Sequence, residues 1–239
     1  MHNFRAFPII SVRILQVLGA TLMTASTAVA QEVNVSHGDV YFRATATAPW
    51  RRITTTGRVE RATLSPDKNS IAFVKDTPGD SVETGLDKVS ADEIWIISVN
   101  GSGARRILHG RKSSTMERVL GGLDDLHFSP DGSEIFFTSA AWVTSEAVHV
   151  VEIASGLERY VCPGTVTAVV PAGEYKGDLI VGQHRYFLIG GSYDWLWLIT
   201  PRGEDVGPLG DADDVTSILT QLAALPTRPK ADTVRHHSP

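Results

Sequence analysis

The feature that most constrains this chain is a segment that occurs twice. Ala62-Thr63-Leu64-Ser65-Pro66-Asp67-Lys68-Asn69-Ser70-Ile71-Ala72-Phe73 is matched by Leu126-His127-Phe128-Ser129-Pro130-Asp131-Gly132-Ser133-Glu134-Ile135-Phe136-Phe137. In each copy Ser-Pro-Asp cannot continue a strand ladder. Proline fixes φ at the first turn position, and the Asp carboxylate can accept backbone N–H bonds across the turn. The flanking apolar runs therefore read as a hairpin. A second strand pair follows each hairpin, first Glu93 to Ser98 with Arg105 to Leu108, later Val148 to Ile153 with Glu158 to Val161. The repeating unit is four short antiparallel strands.

A degraded third copy runs from Val166 to Val170, through Leu179-Ile180-Val181 and Trp195 to Thr200, to Val206 to Leu209. Whether Leu179 to Ile189 is one long strand or a hairpin at Gly182 is left open by the pattern. At the front, Val40 to Arg43 and Arg51 to Thr54 read as the last two strands of a further unit. Four-stranded units recurring every ~40 to 45 residues are the signature of a β-propeller, because each small sheet hides its faces only against its neighbours. The spacing is uneven: Pro130 and Pro171 are 41 residues apart, Pro66 and Pro130 are 64 apart. The excess falls in the segments Asp76 to Ala91 and His109 to Gly122, which should form surface loops. The expected fold is all-β, a β-propeller of about four four-stranded blades over residues 31–210. Its ring is either closed by a blade shared between the ends or left incomplete. An incomplete ring exposes strand edges, through which the chain can associate with a second copy or a partner.

The Ser-Pro-Asp-(Gly)-x-x-Ile-x-Phe hairpin, a strand, and then Asn100-Gly101-Ser102-Gly103-Ala104-Arg105-Arg106-Ile107-Leu108 resemble the TolB-type β-propeller repeat of periplasmic proteins. The resemblance covers residues 60–162 well, and 38–54 and 164–210 weakly. It implies the repeat but no single activity, since such blades occur in Tol-Pal envelope proteins, in the propellers of serine peptidases and in certain polysaccharide lyases. The N-terminal α/β domain of TolB has no counterpart in this sequence, so the resemblance does not extend to a colicin- or Pal-binding role.

Residues 1–30 read as a cleaved export signal. His2, Arg5 and Arg13 precede an apolar stretch from Ile14 to Ala25, and Ala28-Val29-Ala30 supplies small residues for a signal peptidase. The apolar stretch is shorter than the ~20 residues a membrane span requires, so no integral span is expected after cleavage. A periplasmic or secreted protein follows. Cys162 is the single cysteine, which allows no intrachain disulfide, and its place at the end of an apolar strand reads as a small buried thiol. With 22 Lys plus Arg against 27 Asp plus Glu and no basic stripe, no nucleic-acid partner is expected.

After the last strand, an acidic cluster from Asp211 to Asp214 precedes Val215, Ile218, Leu219, Leu222 and Leu225, the spacing of a short amphipathic helix over 211–226. It should pack on a sheet or an open edge. Residues 227–239 carry Pro, Thr, Arg and the pair His236-His237, and read as a disordered tail.

No constellation fixes a chemistry. Gly190-Gly191-Ser192 and Gly101-Ser102-Gly103 lack the Gly-x-Ser-x-Gly spacing of a nucleophile elbow and read as turns. His127, His149 and His184 fall on three different strands, one inner and one outer, so convergence on a metal is not expected. Asp124-Asp125 and the Asp211 to Asp214 cluster are explained by a solvated turn and a helix start without an ion. No cofactor is assigned. Trp95, Trp195 and Trp197 lie in apolar strands and read as core, whereas Trp142 follows a hairpin strand in a loop where its ring could anchor a partner. Tyr193, Asp194, Arg185 and Tyr186 form a second polar and aromatic cluster. These five residues are the candidate binding site. The expected function is an exported, non-catalytic binding module for an envelope or other periplasmic protein. The alternative is a propeller lyase or hydrolase acting on a carbohydrate or peptide through His127, His184, Arg185 and Tyr186.

Overall fold

The computed structural model describes residues 31–211 and 214–227; the export-signal reading of 1–30 and nearly all of the tail fall outside them. Four sheets follow one another along the chain. The first contains β1 (Glu32–Ser36), β2 (Asp39–Arg43) and β3 (Arg51–Arg52). The second is ordered β4 (Val59–Leu64), β5 (Ser70–Lys75), β8 (Glu93–Ser98) and β9 (Arg105–His109). Between β5 and β8 a small hairpin is inserted, β6 (Ser81–Glu83) with β7 (Lys88–Ser90). The third sheet runs β10 (Asp124–Phe128), β11 (Glu134–Ser139), β12 (Ala147–Glu152) and β13 (Glu158–Pro163). The fourth runs β14 (Thr165–Val169), β15 (Leu179–Tyr186), β16 (Ser192–Ile199) and β17 (Asp205–Gly210), and the helix α1 (Val215–Ala224) follows it. All pairings are antiparallel.

The alternation along single strands explains how the sheets stack. On β5, Ile71 and Phe73 face Val40 and Phe42 of the first sheet, while Ala72 and Val74 face Leu126, Phe128, Ile135 and Phe137 of the third. On the third sheet Phe136, Val148 and Val150 turn the other way, onto Val166, Leu179 and Val181 of the fourth. Both faces of the central sheets are therefore buried, which is why their strands read as continuous apolar runs. Each such side chain, with Ile71, Ile135, Phe136 and Phe137 wholly buried, contributes about 1.5–3 kcal/mol by leaving water.

Among the described residues no hydrophobic cluster joins the first sheet to the last. The sheets pack in chain order, first on second, second on third and third on fourth, and among the described residues the two ends are not merged into a shared blade. The stack ends differently at its two faces. The outer face of the first sheet is polar: Arg43 pairs with Glu32 at 2.5 Å, and Arg52 with Asp39, while Asn34 and Tyr41 lie between them. The outer face of the fourth is apolar and is covered by α1, whose Val215, Ile218, Leu219 and Leu222 pack on Ala168, Val170, Ile180 and Leu198. Asp214 caps this helix by accepting from the Ser217 N–H.

Both Ser-Pro-Asp segments form the expected turns. Asp67 Oδ1 accepts from the Asn69 N–H at 3.1 Å and Asp131 Oδ1 from the Ser133 N–H at 3.0 Å, and each also takes the hydroxyl proton of the turn's first serine. Bonds from Ser129 and Ser133 hold the Asp131 carboxyl down at about 2. The copies differ at one strained place. Gly132 has φ 74° and the equivalent Lys68 has φ 63°, a left-handed conformation that costs a side chain roughly 1 kcal/mol. Lys68→Gly is therefore expected to raise the melting temperature by about 1–3 °C, read by thermal denaturation. An unchanged or lower value would show that the turn carries no strain.

Two sequence readings are corrected. The front unit has three strands rather than two, because His37 and Gly38 (φ 50° and 73°) make a tight turn that adds β1 to β2. The segment from Asp76 to Ala91 is not a plain loop: Val82 and Val89 put the β6–β7 hairpin against Val119 and Ala91. The open question at Gly182 is resolved in favour of one long strand, with the reversal at Phe187 to Gly191.

Candidate functional site

A cleft of about 580 Å³ lies where the β6–β7 tip, the loop from Ala140 to Glu146 and the far end of the fourth sheet meet. Glycines set the first two elements. The Gly85 N–H donates to the Ala141 carbonyl at 2.6 Å, and a Cβ on Gly85 would stand 3.1 Å from the Trp142 Cα. The Trp142 N–H closes the loop by donating to the Ser145 carbonyl at 2.9 Å, which leaves the indole half-buried at the cleft wall.

The third wall is an overhang. β14 pairs with β15 only as far as Thr165 with Gly182, whereas β15 and β16 continue together to Tyr186 with Ser192. Gly164 (φ 122°) is the reason: the chain turns there against β15, so closely that a Cβ would stand 2.4 Å from the Gly182 carbonyl oxygen. Beyond it the β15–β16 hairpin is a two-stranded ribbon, and Gln183 to Tyr186 has an edge beside which no strand lies among the described residues. The cleft runs along this edge, lined by Gly164, Thr165, Gly182, Gln183 and His184.

The two faces of the ribbon divide the candidate residues. Asp194 lines the cleft with Trp142, and its Oδ1 lies 2.8 Å from His184 Nδ1. Tyr186, on the same side as His184, meets its ring edge-on at 5.1 Å and is largely exposed. Arg185 and Tyr193 belong to the opposite face. Arg185 lies over Trp197 at 3.5 Å, donates to Gln183, and holds Asp205 through two 2.7 Å bonds. Tyr193 is packed between Phe187 and Trp195. Arg185 and Tyr193 thus stiffen the ribbon, and the cleft is formed without them.

Trp195, half-buried with its ring on Tyr193, borders the cleft, as do Leu86, Asp87 and Glu146, which the sequence does not single out. The cleft is acidic. Asp87, Glu146, Asp194 and Asp211 line it, and among the described residues no Lys or Arg does. Burial, followed by the neighbouring charges of Asp124 and Glu146, holds the nearby Asp125 carboxyl above the usual carboxylate range. The tip of the ribbon is apolar and open, with Leu188 and Ile189 fully exposed.

The residues of the enzyme alternative are not assembled. His127 is an inner-strand residue of the third sheet, where burial lowers its pKa, and Arg185 turns away from His184. His149 is buried in the third sheet, 2.6 Å from Glu158. Among the described residues no group of three His, Cys, Asp or Glu side chains is placed to hold a metal ion. Cys162 is a buried free thiol whose pKa burial pushes up to about 12, which leaves it protonated and inert.

No protein-family model and no curated protein sequence matches the chain. Solved structures do. A TolB structure from Agrobacterium tumefaciens superposes with a TM-score of 0.50 at 15% identity, covering 76% of this chain and 58% of that one. TolB of Acinetobacter baumannii gives 0.51 at 14% identity, covering 76% and 40%. The fold is that of a TolB-like β-propeller. The tricorn protease gives 0.50 at 12% identity, covering 77% of this chain and 16% of that one. The TolB-like fold here spans 58% and 40% of the two TolB chains, and at these identities the likeness concerns the fold alone. Among the described residues no helix is long and apolar enough to cross a membrane.

Proposed function

We propose that this protein is an exported, non-catalytic binding module that holds an extended segment of an envelope or other periplasmic protein in the cleft between Trp142 and the β15–β16 ribbon. The observation that carries this reading is the unpaired edge of β15, which lies in a cleft walled opposite by the loop that holds Trp142. A strand edge has backbone donors and acceptors seeking partners, and an extended peptide that adds a strand satisfies them. Trp142 offers a large amphipathic contact surface of the type that anchors interfaces. Export is supported by the signal-like residues 1–30 and by the TolB-like fold. Of the five candidate residues, Trp142 and Asp194 are assigned contact with the partner, Tyr186 the cleft-side rim of the ribbon, and Arg185 and Tyr193 its support.

Crosslinking in cells, followed by affinity capture from the envelope fraction, tests the proposal. Trp142→Ala should reduce recovery of the captured protein at least about tenfold, the loss of one interface anchor, with little change in the melting temperature. Equal recovery with the variant would remove the cleft from the binding surface.

A further inference from the structure

We infer that the occupant of the cleft is a cationic extended peptide, one that lies along the β15 edge and carries Lys or Arg side chains. The inference rests on the proposed reading of the cleft as a peptide site and specifies its chemistry. The edge supplies the main-chain part. The Phe187 N–H donates to the Gly191 carbonyl, so the alternation of an antiparallel pair turns Arg185 and Gln183 toward β16 as well. The backbone groups of His184 and Tyr186 then point to the open side, spaced to receive one strand of three or four residues.

Charge selects the side chains of that strand. Asp87, Glu146, Asp194 and Asp211 line the cleft, and among the described residues none of them is paired with a Lys or Arg. Elsewhere Asp39, Asp124, Glu93, Glu158 and Asp205 each meet a Lys or Arg, and the turn carboxylates Asp67 and Asp131 are satisfied by Ser and backbone N–H donors, whereas the cleft brings four carboxylates without a Lys or Arg to one surface. An acidic peptide would meet four like charges, whereas a basic one complements them.

The tryptophans give a second, independent indication. The sequence has five. Three of them already have a cation on the ring: Arg43 over Trp50 at 4.6 Å, Lys75 over Trp95 at 4.8 Å, and Arg185 over Trp197 at 3.5 Å. Among the described residues the two rings without one are Trp142 and Trp195; Trp195 packs on Tyr193 on the Arg185 face of the ribbon, which leaves Trp142 as the cleft ring with neither a cation nor an aromatic partner. A Lys or Arg from the occupant would complete there what the protein's own side chains do elsewhere.

The test is titration of the purified protein, followed by tryptophan fluorescence and calorimetry, with three seven-residue peptides that alternate Thr and Val with Lys, with Glu, or with Gln. The lysine peptide should bind at least about tenfold more tightly than the glutamate peptide. Its affinity should fall several-fold between 50 mM and 500 mM salt. Methylation of alternate backbone amides, which removes the strand-forming donors, should abolish it. Glu146→Gln with Asp194→Asn, two exposed positions, should lower the affinity for the lysine peptide about tenfold and that for the glutamine peptide by much less. Binding of the glutamate or glutamine peptide as tightly as the lysine peptide, lost in Trp142→Ala, would overturn the cationic assignment and leave the peptide cleft standing. Absence of binding by all three, together with partner capture indifferent to Trp142, would overturn both.

Discussion

Removal of residues 211–239 is expected to leave a protein that melts roughly 10 °C or more below the full chain and associates as its concentration rises. The helix α1 is the cover of the fourth sheet. Its Val215, Ile218, Leu219 and Leu222 shield Ala168, Val170, Ile180 and Leu198, with Tyr175, Leu196 and Leu209 at the margin. Burial of four such side chains, most of them in part, contributes about 4–6 kcal/mol, and a chain of this size shifts by about 2–4 °C per kcal/mol. The loop before β15 is built onto the same helix: the Glu174 N–H donates to the Leu225 carbonyl, and a Cβ on Gly173 would stand 2.7 Å from the Leu222 carbonyl oxygen. The uncovered face would be a contiguous apolar patch of the kind that drives association. Leu222→Asp, which retains the whole chain, should reproduce the effect at about 2–4 kcal/mol. Light scattering after size exclusion, with thermal denaturation, measures both consequences. A truncated protein that stays at the mass of the full chain with an unchanged melting temperature would show that α1 is an appendage.

The asymmetry of the two ends answers the problem raised by an incomplete ring. A closed propeller hides every blade face against a neighbour. A stack that does not close has two terminal faces, and repeat proteins treat such faces with polar or capping elements. This chain uses both: ion pairs and polar residues on the first sheet, a helix on the fourth. Neither terminal face among the described residues therefore presents a bare apolar sheet. The strand edge along the cleft differs from the outer edges β9, β13 and β17 in lying inside a cavity.

The sequence revealed the repeat because turn chemistry is local. Ser65-Pro66-Asp67 and Ser129-Pro130-Asp131 carry their own hydrogen-bond partners within five residues, and the apolar runs beside them alternate faces as strands must. The amphipathic spacing of α1 was equally legible. β1 was missed because its turn, His37-Gly38, belongs to a different class from the other two, although Glu32-Val33-Asn34-Val35 alternates plainly. The cleft was half legible. Trp142 and Asp194 were singled out separately, as an unexplained loop ring and a polar cluster. Their meeting depends on how far β15 outruns β14, which is decided by one glycine's close approach to another backbone. The division of Arg185 from His184 follows from the period of two once β15 is known to be continuous.

Glu93→Gln should lower the melting temperature by about 4–12 °C at pH 7, and the difference from the parent protein should disappear as the pH approaches 2. Glu93 is the most heavily engaged carboxylate of the second sheet, with a side chain 8% exposed. It accepts from Arg106 at 2.7 Å, from the Trp95 Nε1–H at 2.8 Å and from Lys75 at 3.2 Å, while His109 stands at 3.4 Å. Burial alone would raise its pKa, but the bonds from Arg106, Trp95 and Lys75 outweigh it and bring the carboxyl from 4.5 down to about 2. A folded pKa below the unfolded one stabilises the native state above pH ~4.5, and that contribution is lost as the pH falls from there toward 2. The shift corresponds to about 3 kcal/mol, reduced to about 2–3 because Arg106 is half exposed and screened by solvent. Gln keeps the shape and can still accept from Trp95, so the loss is the charge-dependent part. The comparison of variant with parent also cancels the opposite influence of Asp178, whose pKa burial raises from 3.8 to about 6 and which therefore weakens the fold progressively as the pH rises between those values. Thermal denaturation of both proteins at pH 7, 5, 3.5 and 2.5 reads the prediction. A difference that stays constant across this range would mean that Glu93 acts by packing alone, and that the ion cluster binding β5, β8 and β9 adds nothing to the stability of the second sheet.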